Sequence, residues 1–180
     1  MILAHKHLLE YVQNGRIHCK PFDQANVGVN SIDVHLGADF KMIRPNNKKY
    51  IDPQKAQVFE SFHIDSAFIL QPGDCVLGHT VEEIGSDYYA PMYSGRSSIA
   101  RMFLFSEVSA GFGEIGFKKQ WTLELCCIKP IILYPGMKIG QVYFIEASDT
   151  SVIYGRDIAA HYATQNGPQE SLYNAAPQTL

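Results

Sequence analysis

The sequence predicts a mainly β domain, a barrel or sandwich of short strands preceded by one short helix. Short runs alternate apolar and polar residues, as in Ser31-Ile32-Asp33-Val34-His35-Leu36-Gly37, the period of a strand with one buried face. Two Pro-Gly pairs, Pro72-Gly73 and Pro135-Gly136, punctuate further apolar runs. Many short strands divided by turns suit an all-β architecture better than βαβ units.

The elements follow in order. Between His5 and Asn14, Leu8, Leu9 and Val12 share one helical face, and Gly15 is a suitable stop. Strand patterns then run through 31–37, Ala67 to Leu70 and Cys75 to Thr80, the last two joined by Pro72-Gly73. The same grammar recurs in Trp121 to Ile128, Ile131 to Leu133 and Ile139 to Ile145. Arg44 to Lys55 is a polar excursion, and from Ala163 the chain becomes rich in Gln, Asn, Gly, Pro and Ser. The expected division is a β domain over 1–162 and a flexible tail over 163–180.

With 180 residues, 46% of them hydrophobic, the chain can fill one core. A net charge of -3 argues against a nucleic-acid partner, which calls for a Lys/Arg-rich face. Cys19, Cys75, Cys126 and Cys127 show no C-x-x-C spacing, and the last two are adjacent. Reduced thiols and a cytoplasmic location are therefore expected. No apolar run suggests a signal peptide or membrane span.

Two segments carry chemistry. In Ser94-Gly95-Arg96-Ser97-Ser98-Ile99-Ala100-Arg101, a glycine, two hydroxyls and a guanidinium precede a helical turn, a plausible phosphate cradle. Ser97 or Ser98 serves equally well as a simple helix cap. In Gln120-Trp121-Thr122-Leu123-Glu124-Leu125 a strand places Thr122, Glu124 and Cys126 on one face. From pattern alone that face is solvent, since Glu is seldom buried unpaired.

Taken together, Gly95-Arg96-Ser97-Ser98-Ile99-Ala100-Arg101, Ala110-Gly111-Phe112-Gly113-Glu114-Ile115-Gly116-Phe117 and Thr122-Leu123-Glu124-Leu125 resemble the motif series of dCTP deaminases. Residues 30–37 are similar to that family's S-x-D-x-x-L-G strand. Tyr162-x-x-Gln165-x-Gly167-Pro168-x-x-Ser171 is similar to its tail. The resemblance spans most of the chain.

It implies the dUTPase-like distorted β-barrel or jelly-roll, with the tail as a lid, and a homotrimer with sites between subunits. It also implies zinc-independent hydrolysis of dCTP, or a related deoxycytidine nucleotide, to dUTP and ammonia. Glu124 would be general base and acid, Ser97 and Ala110 would position the water, and Arg101 would orient the carboxylate. Arg96, Ser97, Ser98, Tyr154, His161 and Gln165 would hold the phosphates, with Mg²⁺ as their counter-ion. Glu114 would meet the sugar, and Thr122, Leu123 and Glu124 the base. Feedback by dTTP is a further implication. Zinc deaminases carry H-x-E with P-C-x-x-C; this chain has neither, and its seven histidines are scattered.

Glu114 stands where the family has Asp, and His161 where it has a phosphate-contacting Lys. Because of Glu114, deamination alone ranks ahead of a bifunctional deaminase and dUTP pyrophosphatase yielding dUMP and pyrophosphate. A non-catalytic nucleotide-binding trimer is a further alternative.

Overall fold

The computed structural model describes residues 1–43 and 50–173. Helix α1, His5–Gln13, lays Leu8 fully into the core with Leu9 and Val12 packed beside it, the face the sequence predicts. Gly15, at φ +80°, ends it. Its first turn has no side-chain cap; the His5 N–H instead donates to Val29 O at 2.7 Å.

The strands are β1 His18–Lys20, β2 Ile32–His35, β3 Asp39–Ile43, β4 Phe59–His63, β5 Phe68–Leu70, β6 Val76–Gly85 and β7 Tyr89–Gly95. After the single turn α2, Ser97–Ala100, come β8 Leu104–Phe105, β9 Lys118–Cys127, β10 Ile131–Leu133 and β11 Lys138–Glu146. All pairings between them are antiparallel. One sheet runs β4-β3-β6-β9-β8 with β1 on β6, a second runs β2-β11-β7, and a third is the β10-β5 ribbon.

The mainly β expectation holds, and of the barrel or sandwich expected, the sheets of the described residues form no closed barrel. Among the described residues no sheet closes on itself, because the largest ends at β4 on one side and at the two-residue β8 on the other. The two Pro-Gly turns, with Gly73 at φ +92° and Gly136 at φ +79°, do not make hairpins of their flanking strands. Both connect the β10-β5 ribbon to the other sheets, and residues 68–70 pair with 131–133. Part of the Arg44 to Lys55 excursion, residues 44–49, lies outside the described residues.

The long pair β6 and β9 anchors the site. Register shifts between His79 and Glu83, so that residues 80–82 stand opposite Trp121 alone. Fully buried Thr80 satisfies this bulge: its Oγ1 donates to Glu82 O at 2.7 Å and accepts the Trp121 N–H at 2.9 Å. Along β9, Trp121, Leu123, Leu125 and Cys127 are buried, while Thr122, Glu124 and Cys126 are half-buried. The predicted alternation is therefore present, with a single core beneath it.

Candidate active site

Glu124 stands opposite Leu77 of β6, and Thr122 opposite His79. Their face is not open solvent. It forms the floor of a cavity of about 540 Å³ lined also by Phe59, Phe117, Tyr154 and Tyr162. That volume suits a small organic ligand.

Residues 163–173 fold back over this floor. Buried Gln165 donates from Nε2 to Gln120 O, and the Gly167 N–H donates to Gln120 Oε1 at 2.9 Å. The Gln169 N–H donates to Thr122 Oγ1 at 3.1 Å, and Lys41 pairs with Glu170. Two tyrosines brace the turn before and after: Tyr154 OH accepts the Tyr162 N–H at 3.1 Å, and Tyr162 OH accepts the Leu172 N–H at 3.2 Å. The tail can reach β9 because β8 pairs with it only at Cys126 and Cys127. Toward Lys118 that edge of β9 has no strand partner among the described residues.

Burial raises the pKa of Glu124 above the ordinary carboxylate value; the backbone N–H groups of Val108 and of Glu124 itself favour the charged form and oppose this, and the Glu107 charge adds a smaller rise. A carboxyl held this way can take and give a proton nearer neutrality than an exposed glutamate. Gly113 makes room for the aromatic wall: a Cβ there would lie 2.5 Å from Trp121 Cη2 and 2.9 Å from Pro91. The Trp121 ring is fixed by its Nε1–H donating to Ile84 O at 3.0 Å.

The structure brings together Ala110, Glu114, Thr122, Glu124, Tyr154 and Gln165, all of which line the cavity. Leu123 points the other way into the core, so only its backbone can face a ligand. Ser97, Ser98 and Arg101 lie exposed on and after α2, outside this cavity. Arg96 is engaged by Asp33 at 3.4 Å, and the same carboxylate binds Lys138 at 3.0 Å. His161 is exposed beside Tyr162 and also lies outside the cavity.

Sequence reasoning missed Phe59, Gln169 and Glu107. Phe59 and Gln169 arrive through long-range folding of β4 and the tail. Glu107 stands two residues beyond β8, a strand too short to leave a periodic signal. Tyr162 and Ser171 belong to the tail pattern but received no role there. Among the described residues no cluster of three or more His, Cys, Asp or Glu could hold a metal, and the four cysteines are free. Nor does any described helix have the length and apolarity to cross a membrane.

Antiparallel sheets that present one shielded carboxylate to a cavity roofed by the chain's own tail define a ligand-binding β domain. The chain belongs to the dCTP deaminase-like family, which matches residues 2–147. It is 33% identical over 172 residues to a "dCTP deaminase, dUMP-forming" of Clostridium beijerinckii, covering 96% of each chain. It is 37% identical over 180 residues to one of the same name from Streptomyces coelicolor, covering 95% of this chain and 94% of that one. The crystal structure of 2'-deoxycytidine 5'-triphosphate deaminase from Agrobacterium tumefaciens is similar in fold, with a TM-score of 0.64 at 17% identity. That likeness covers 81% of this chain and 48% of the other, so this chain spans about half its length.

Proposed function

We propose that the protein hydrolyses dCTP in two steps, first to dUTP and ammonia, then to dUMP and pyrophosphate. The observation that carries the first step is the half-buried Glu124 carboxylate, its pKa raised, on the floor of a cavity of suitable size.

In this reading, ionised Glu124 takes a proton from water as the oxygen attacks C4 of cytosine, and passes that proton to N3. A second transfer protonates the leaving amine. The backbone N–H groups of Val108 and of Glu124 itself favour the charged carboxylate. The open edge of β9 beside Thr122 and Glu124 supplies backbone groups for the cytosine edge. A base of the wrong pattern would leave those groups unpaired, which is a strong basis for selection.

The second step is favoured by the curated relatives, which are named dUMP-forming. It reverses the ranking expected from Glu114. That carboxylate lines the same cavity as Glu124, and its extra methylene relative to Asp can be taken up at an exposed position on the cavity rim.

The active form proposed is a homotrimer in the cytoplasm. Support comes from the separation of Ser97, Ser98 and Arg101 from the Glu124 cavity within one chain. Between the two, Met102, Phe103, Phe105, Val108 and Phe112 are all exposed, an apolar surface that a neighbouring subunit would cover. A partner's α2 segment would then bring its serines and arginines to this cavity. Mg²⁺ would enter with the nucleotide, on the phosphates, and dTTP is the inhibitor to test.

Incubating the protein with dCTP and Mg²⁺ and resolving ammonia, dUTP, dUMP and pyrophosphate tests the reading. One ammonia and one pyrophosphate per dCTP are expected. Accumulating dUTP without pyrophosphate would restrict the enzyme to deamination, and absence of ammonia would overturn the assignment.

A further inference from the structure

One row of paired residues crosses three strands beneath the cavity. Lys41 of β3 stands opposite Leu77 of β6, and Leu77 stands opposite Glu124 of β9. Residues opposite one another in antiparallel strands share a face of the sheet. Lys41 therefore rises from the same face as Glu124, two strands and about 10 Å away.

Residues 163–173 cross this row. On the β9 side the Gln169 N–H donates to Thr122 Oγ1 at 3.1 Å, and the Gly167 N–H to Gln120 Oε1 at 2.9 Å. On the β3 side Lys41 donates to the carboxylate of Glu170, both residues being half-buried. The two neighbours of Glu170, Gln169 and Ser171, line the Glu124 cavity, whereas Glu170 does not. Successive side chains thus alternate between the cavity and Lys41. Among the described residues, this is the only salt bridge that joins residues 163–173 to the rest of the chain. The Lys41 ammonium holds the Glu170 carboxyl below its ordinary range, so the pair is charged at neutral pH. Asp39, two residues away on β3, is engaged by His63 at 2.7 Å.

We propose that Lys41 is a positioning residue of the reaction site: by holding Glu170 over β3 it draws the C-terminal segment across β6 and sets Gln169 and Ser171 against a bound nucleotide. The inference rests on the reading of the Glu124 cavity as the dCTP site. The hydrogen bonds of Gly167 and Gln169 fasten the segment to β9 alone, and a strap fastened on one side can pivot off the cavity. The ion pair supplies the second point, on the far side of Leu77 from Glu124. Lys41 does not line the cavity, so its effect falls on closure and thereby on nucleotide binding.

Charge exchange tests this. Lys41→Glu and Glu170→Lys each set like charges against one another, whereas the double variant Lys41→Glu/Glu170→Lys restores an opposite pair. At fixed Mg²⁺, each single variant is expected to raise KM for ammonia release from dCTP about threefold or more, with kcat within about twofold of wild type. The double variant should recover most of that loss. Unchanged KM in both single variants, or a double variant no better than they are, would overturn the proposal. Amide hydrogen exchange of the free protein makes the same comparison without turnover. Gly167 and Gln169 should exchange faster in each single variant and regain protection in the double one. Equal exchange in all four proteins defeats this inference, whereas no ammonia from wild type defeats the deaminase reading and leaves the exchange result standing.

Discussion

Gln169 donates its backbone N–H to Thr122 Oγ1 at 3.1 Å, two residues along β9 from Glu124. The C-terminal segment is thereby tied to the strand that carries Glu124, and a ligand in the cavity must share space with the tail. A neighbouring tie runs from buried Gln165 to Gln120 O.

Gln165→Ala should weaken that closure. A neutral hydrogen bond contributes about 1 kcal/mol, so KM for dCTP is expected to rise roughly fivefold with kcat less affected. Steady-state kinetics at fixed Mg²⁺ measure this, and an unchanged KM would remove the tail from substrate binding.

Stability should depend on pH through Glu124. Burial, together with the Glu107 charge, raises its pKa in the folded state, so the folded protein holds this proton more tightly than the unfolded chain does. The associated stabilisation is present at low pH and is lost as pH rises through the raised native value. Glu124→Gln removes this dependence. The variant is expected to melt higher than wild type at about pH 8 and to converge with it below about pH 4, where free glutamate is also protonated. Melting curves across pH that stay parallel would contradict the shift.

Thr80→Val should be costly although Thr80 touches no ligand. The substitution leaves the Trp121 N–H without its 2.9 Å acceptor inside the β6 bulge. An unsatisfied buried group costs about 1–3 kcal/mol. Urea denaturation should show a loss of that size, with reduced activity as Trp121 and its strand shift.

Gly113→Ala probes the aromatic wall. The new methyl would meet Trp121 Cη2 at 2.5 Å and Pro91 Cγ at 2.9 Å, and neither ring can swing away freely. Overpacking of this kind costs about 1–3 kcal/mol. Tryptophan fluorescence, from the chain's one Trp, should change along with the denaturation midpoint.

The sequence made some of this legible and hid the rest for physical reasons. α1 and β9 were readable because burial follows a local period, 3.6 residues in one and two in the other. That period correctly placed Glu124 with Thr122 and Cys126, but it could not say what covers that face. The cover comes from Phe59 of β4 and from residues 163–173, both distant in sequence, and so the pattern alone pointed to solvent. Motif resemblance supplied the correction. Whether the sheets close was not legible, because closure depends on the lengths and ends of strands such as β8, which carry no local signature. Ser97, Ser98 and Arg101 were conspicuous in the sequence, yet within one chain they lie away from the cavity.

The central claim, proton transfer by Glu124, is tested most directly by Glu124→Gln assayed for ammonia release from dCTP and, in parallel, for dCTP binding by calorimetry. General acid–base catalysis contributes roughly 10²–10⁴-fold. The variant should therefore lose at least about a hundredfold in ammonia release while binding nucleotide with near wild-type affinity. Ammonia release at the wild-type rate would contradict the account.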